Sequence, residues 1–279
     1  MNTPRISASS YSNTAPLIWS FLYGSNHGKV EIILDNAPAR SAELLGQNRV
    51  DAALVPVIAY QFIEDARLIP GVCVGAKERV RSVCLVTKGS ELADVRSISL
   101  DVSSRTSVTL TKIIFREFLG FEPEWKDAKP DIDTMLADSD AALIIGDPAL
   151  SIAECGIRGG DLSLDAAAGV PRPPIRKFDL AELWRTHTGL GFVFAMWMTT
   201  QRMCPIDFAA ARDEGTAHID EIIANYQPEI GIGRKEMRRY LSENISYSPD
   251  ESMLAGMELY FKLAARHGFG GRNANLIYI

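Results

Sequence analysis

Arg81-Ser-Val-Cys-Leu-Val-Thr87 is an apolar run of strand length, and far along the chain Gly191-Phe-Val-Phe-Ala-Met-Trp-Met-Thr199 is another. Runs this apolar belong to strands covered on both faces, as in an α/β sheet. Between them the chain repeats an alternation of strand and helix. The pattern predicts a strand at Ile98 to Leu100, a helix from Thr106, a strand around Glu124 to Trp125, a helix about Ile132 to Leu136, and a strand at Ala141 to Ile145. The same alternation precedes Arg81, with strands at Ile6 to Ser9, Val30 to Leu34 and Val50 to Val55 and helices at Leu17 to Leu22 and Ala39 to Gln47. After Thr199 the spacing turns helical, through 207–226, 235–243 and 249–267.

Two α/β sets, one enclosed by the other, imply a second lobe inserted in the first. The expected division is 1–86 with 195–279 for the first lobe and 87–194 for the second, with hinge strands near 81–87 and 191–199. Ligands of open α/β sheets bind beyond the carboxyl ends of the strands, here in the cleft between lobes. Residues 159–174, rich in Gly and Pro, read as an irregular connector.

The 279 residues are 47% hydrophobic and 23% charged, which places the chain among globular proteins. A net charge of −6 without any lysine or arginine run argues against a nucleic-acid partner, because phosphate binding needs clustered cations. Cys73, Cys84, Cys155 and Cys204 are widely separated with no C-x-x-C, so free thiols and no metal site are expected. The four histidines, His27, His187, His218 and His267, have no partner at metal spacing. Residues 1–12 hold no apolar stretch of signal length, and no run approaches a membrane span, so a cytoplasmic protein without a membrane partner is expected.

The polar segment Asp101-Val-Ser-Ser-Arg-Thr-Ser-Val108 lies between a predicted strand and a predicted helix. Free amides, hydroxyls and the positive end of a helix dipole gather there, which suits a carboxylate or phosphate. Capping of the helix by Ser103 or Ser104 explains the same residues equally well. Asp147, in Leu143-Ile-Ile-Gly-Asp-Pro-Ala-Leu150, directly follows a buried strand. It reads either as a buried base or as a carboxylate fixed by helix amides.

Six stretches, in order and covering most of the chain, resemble the chorismate dehydratase family of the futalosine route to menaquinone. They are Tyr11-Ser-Asn13 with Pro16-Leu17, Val50-Asp-Ala-Ala-Leu-Val-Pro56, Ser82-Val-Cys-Leu85, Leu100 to Val108, Leu143-Ile-Ile-Gly-Asp147, and Leu183-Trp184 with Thr188-Gly-Leu-Gly-Phe-Val-Phe-Ala195. The resemblance implies the two-lobed fold of type II periplasmic binding proteins. It implies dehydration of chorismate to 3-[(1-carboxyvinyl)oxy]benzoate, without cofactor or metal. Ser104, Arg105, Thr106 and Ser107 are then expected to hold one substrate carboxylate, and Asn13 and Ser82 to face the substrate from the other lobe.

Each has a plainer role available: a salt bridge for Arg105, an N-cap for Asn13, a strand edge for Ser82. The preferred base is the substrate's own enolpyruvyl carboxylate, oriented by Asn13, with Asp147 as the alternative. Gly146-Asp147 stands where the sister enzyme 1,4-dihydroxy-6-naphthoate synthase is expected to carry His-Glu, which favours the dehydratase. Gly191 replaces a proline common in the family and is expected to alter hinge stiffness, and Val57 replaces a frequent serine. From a different class, a non-catalytic solute-binding protein for a carboxylate or oxyanion competes with this reading.

Overall fold

The computed structural model describes residues 3–152, 174–271 and 276–279. The chain runs through β1 (Arg5–Ser9), α1 (Ala15–Leu22), β2 (Glu31–Asp35), α2 (Pro38–Gly46), β3 (Ala52–Pro56), a 3-10 turn at Val57–Gln61 and β4 (Arg67–Ala76). It then crosses to β5 (Val83–Thr87), β6 (Ser97–Asp101), α3 (Arg105–Ile113), β7 (Glu124–Ala128), α4 (Ile132–Asp138), β8 (Ala141–Ile145), α5 (Asp147–Ser151), β9 (Arg176–Asp179) and α6 (Leu180–Thr188). It returns through β10 (Phe192–Thr199) to α7 (Phe208–Ala217), α8 (Ile219–Ile230), α9 (Arg234–Arg239) and α10 (Glu251–Arg266).

Among the described residues the strands form two five-stranded sheets, ordered β2-β1-β3-β10-β4 and β7-β6-β8-β5-β9. The two orders are the same pattern. In each sheet the first three strands are parallel, and the strand that follows a crossing lies antiparallel between the third strand and an edge. The α/β architecture of two lobes, the second inserted in the first, is therefore present.

The expected limits at 86/87 and 194/195 fall inside strands. All five residues of β5 pair with β8 and four of them, Cys84 to Thr87, also with β9, while β10 pairs on both sides within the first sheet. A strand bonded along both edges commits to one sheet, so the crossings lie before Val83 and before Phe192. Arg81 and Gly189, at φ 64° and 73°, turn the chain there. The side chain of Asp179 fastens the first crossing, accepting from the amides of Val80 at 3.2 Å and Arg81 at 2.6 Å.

Strands β4 and β9 and helix α6 have no counterpart in the predicted pattern. Pro70-Gly71 inside β4 argues against a strand, yet β4 is an edge strand with two register shifts, where a missing N–H is harmless. Cys73 is a buried free thiol and Cys204 a half-buried one, and Cys84 is buried with its Sγ 3.2 Å from the Arg81 carbonyl. Cys155 and the connector, save Pro174, lie outside the described residues.

One hydrophobic core runs through both lobes, containing Ile6 and Val55 as well as Leu100 and Phe115. At the second crossing Trp184 meets Phe192 edge-on at 5.4 Å, and its indole N–H donates to the Gly191 carbonyl at 3.2 Å. The Gly191 N–H donates to Ser252 Oγ at 3.0 Å, a bond a proline there could not make. Gly256 of α10 completes the contact, since a Cβ on it would stand 2.0 Å from the Gly191 oxygen. Gly256→Ala should therefore destabilise the protein by about 1–3 kcal/mol through overpacking, read as a lower denaturant midpoint; an unchanged midpoint would show that α10 can shift freely.

The cleft between the lobes

The amino end of α3 points into the cleft. Ser104 is its N-cap, accepting from the Ser107 amide at 3.4 Å, and its hydroxyl donates to Ser107 Oγ at 2.8 Å. Both residues line a cavity between the sheets, together with Tyr11, Asn13, Leu54 and Phe194. Since Ser104 spends its proton on Ser107, the Ser107 hydroxyl keeps its own proton for whatever occupies the cavity. Asn13 is held from the first lobe: Thr14 Oγ1 donates to Asn13 Oδ1 at 3.3 Å, and Thr14 is paired in turn with Ser9 Oγ at 2.8 Å. That leaves the Asn13 amide nitrogen as its free end.

Arg105 and Thr106 are placed elsewhere. The half-exposed Arg105 guanidinium reaches Glu43 of α2 at 3.8 Å, on the rim. Thr106 is buried, its hydroxyl accepting from the Ile58 amide at 3.2 Å and its carbonyl from the Tyr260 hydroxyl at 3.1 Å. It joins α3 to the first lobe and to α10 and does not line the cavity. Ser82 lies behind the lining, fully buried, with its hydroxyl donating to the Val80 carbonyl at 3.4 Å and its carbonyl accepting from the Gly146 amide at 2.7 Å.

Asp147 also stands outside the lining. Its carboxylate accepts from the Ser12 amide, at 3.0 Å for the nearer oxygen, and from the Ser12 hydroxyl, so it bonds across the cleft. Burial pushes its pKa up, the Ser12 donors oppose that, and Glu229 adds to the rise. Gly146 just before it has φ 67°, and a Cβ there would press on the Tyr11 ring at 2.9 Å, so glycine is required twice over. Asp101 is fully buried, one oxygen accepting from the Ser103 amide at 3.0 Å and hydroxyl at 2.6 Å; burial raises its pKa too.

Tyr11 lines the cavity beside Asn13 of the same motif, and Tyr240, in the helical region 235–243, is brought to Asn13 only by folding. His187 stacks on Phe118, His218 on Trp19, and His267 pairs with Glu117, all outside the cavity lining. The cavity measures about 60 Å³. Small-molecule pockets are usually about 300–1,000 Å³, so the cavity is smaller than such a pocket. A wider groove separate from this cavity carries Arg79, Arg81 and Arg239, but each is already paired, with Glu182, Glu236 and Glu243.

Two lobes joined by two crossings around a cleft define the class of type II periplasmic-binding-like proteins. The structure is similar to a protein of Archaeoglobus fulgidus (TM-score 0.68, 17% identity, covering 95% of this chain and 97% of that one). It is similar also to the periplasmic aliphatic sulphonate binding protein of Escherichia coli (TM-score 0.60, 17% identity, 96% and 88%). At these identities the likeness is one of fold. The chain belongs to the menaquinone biosynthesis family, whose profile matches residues 4–266. It is 28% identical over 240 residues to the chorismate dehydratase of Thermus thermophilus, covering 82% of this chain and 84% of the relative.

Removing the cross-cleft acceptor should cost stability. Asp147→Ala leaves the buried Ser12 donors unpaired, a loss of about 1–3 kcal/mol, whereas Asp147→Asn keeps one acceptor and should lose less. The pH dependence carries a sign. With its pKa raised above the ordinary 3.8, Asp147 contributes stability that is fully present below that value and lost as pH rises through the raised one. Denaturation curves of Asp147→Asn should therefore lack that decline from about pH 4 upwards; parallel profiles for variant and wild type would show that the group is not strained by burial.

Proposed function

We propose that the protein removes water from chorismate to give 3-[(1-carboxyvinyl)oxy]benzoate. The observation that carries this reading is that Asn13 of the first lobe and Ser104 and Ser107 of the second line one cavity whose other walls include Leu54, Val83 and Phe194. Such a site suits a ring diacid, offering hydroxyl and amide donors to the carboxylates and apolar surface to the ring. Membership of a menaquinone biosynthesis family and likeness to a chorismate dehydratase support the same choice.

The bond from hydrogen to the ring carbon bearing the ether breaks. Its electron pair spreads through the adjoining double bond onto the ring carboxylate, hydroxide departs from the neighbouring carbon, and the ring becomes aromatic. The proton and the hydroxide leave as water. Donors already aimed at the ring carboxylate stabilise the dienolate as it forms, the role assigned here to Ser107 and the amino end of α3. The enolpyruvyl carboxylate of the substrate takes the proton, held at the right distance by the Asn13 amide. Arg105 supplies positive charge at the rim, and Asp147 serves closure of the lobes.

Purified protein incubated with chorismate and followed by ultraviolet spectra should form the benzoate product, equally well after chelator treatment. Chorismate left unchanged sinks the reading, and chorismate that raises the melting temperature without being consumed identifies a binding protein instead. Asn13→Ala should lower kcat on the order of 10²-fold, the scale of a misplaced reacting group. Ser104→Ala with Ser107→Ala should lower kcat/KM by about 1.5–3 kcal/mol per bond lost. Thr106→Val should leave kinetics alone and reduce stability; a kinetic defect as large as that of the serine pair would return Thr106 to the substrate.

A further inference from the structure

Tyr240 follows α9 and is fully buried, yet its hydroxyl has no hydrogen-bond partner among the described residues. A buried hydroxyl left unpaired costs about 1–3 kcal/mol, and such groups in native proteins need a reason. The surroundings supply one. Asn13 and Ser82 lie close enough to bear on the ionisation of the phenol, Asp147 and Arg81 act on it from further off, and burial pushes its pKa up most of all. Neither Asn13 nor Ser82 closes a bond of good geometry with it.

The donor inventory permits one direction of pairing. Asn13 Oδ1 accepts from Thr14, so its free end is the amide nitrogen with two N–H donors. Ser82 gives its proton to the Val80 carbonyl and keeps lone pairs to accept with. Tyr240 is the one kind of group that accepts from the first and donates to the second.

We infer that Tyr240 is a positioning residue for the proposed dehydration: on loading it accepts from one Asn13 N–H and donates to Ser82 Oγ, leaving the other Asn13 N–H aimed at the substrate carboxylate. The chain Asn13 to Tyr240 to Ser82 to Val80 then holds the amide from behind, and a fixed amide sets the distance between base and ring proton. The inference rests on the chorismate reading of the cleft. It explains why an unpaired hydroxyl persists in a core where phenylalanine would pack as well.

Tyr240→Phe separates this from a purely structural role. The variant should melt no lower than wild type, because it removes an unsatisfied polar atom, while kcat for chorismate falls on the order of 10–100-fold with KM little changed. In an Asn13→Ala background the same change should cost nothing further, since the group it positions is gone. Ser82→Ala, which removes the acceptor, should reproduce part of the kcat loss and covers the case in which Tyr240→Phe folds poorly. Wild-type kcat in both single variants overturns the inference, as does an equal fold-loss with and without Asn13. A wild-type protein inert toward chorismate overturns the reaction itself and this role with it, an outcome that the wild-type control distinguishes from failure of the inference alone.

Discussion

A chain that crosses between two sheets and returns must place its two crossings side by side, and the rest of the molecule is arranged around that constraint. Each crossing delivers an antiparallel strand, β5 or β10, into the middle of the sheet it enters. The crossings are also fastened by side chains and by close packing. Asp179 holds the amides of Val80 and Arg81, Trp184 holds the Gly191 carbonyl, and α10 closes over Gly191 with no room for a side chain. With the lobes joined along one side, separation can occur only on the other, where α1 and α3 present their amino ends.

Buried carboxylates hydrogen-bonded to neutral donors recur along this junction, with Arg79 acting on Asp179 as well. Asp101, Asp147 and Asp179 all have pKa values raised by burial, and all are held by neutral N–H or O–H donors. Charge taken from water into a medium of low polarity is costly, and neutral donors recover only part of that cost. For Asp147 the partner lies on the other lobe, so its solvation depends on whether the lobes are together. The burial that raises its pKa is thus tied to contact between the lobes.

On the proposed reading the cleft meets anions in the same manner. Its lining offers hydroxyls and an amide, and Arg105 stays at the rim. Neutral donors at a helix start, inside a water-poor site, bind a carboxylate without a cation that would compete for its charge. In the proposed reaction negative charge moves from one end of the substrate toward the other, and donors fixed by their own hydrogen bonds, Ser107 by Ser104 and Asn13 by Thr14, need little rearrangement as it moves.

Much of this was legible in the chain. Apolar runs at 81–87 and 191–199 enclosing a strand and helix alternation already imply an inserted lobe, because period and burial are local properties of sequence. The helix start at Ser104 to Ser107 and the position of Asp147 were legible for the same reason, each being the end of a recognisable element. What tertiary structure alone decided is direction and partnership. Consecutive residues at a helix start face different ways, so Ser104 and Ser107 look into the cavity while Thr106 between them joins the lobes. The limits of the lobes depend on which sheet pairs with β5 and β10, a long-range matter that no local pattern encodes. Tyr240, far from Asn13 in sequence, becomes its neighbour only because the last helices fold back on the first lobe.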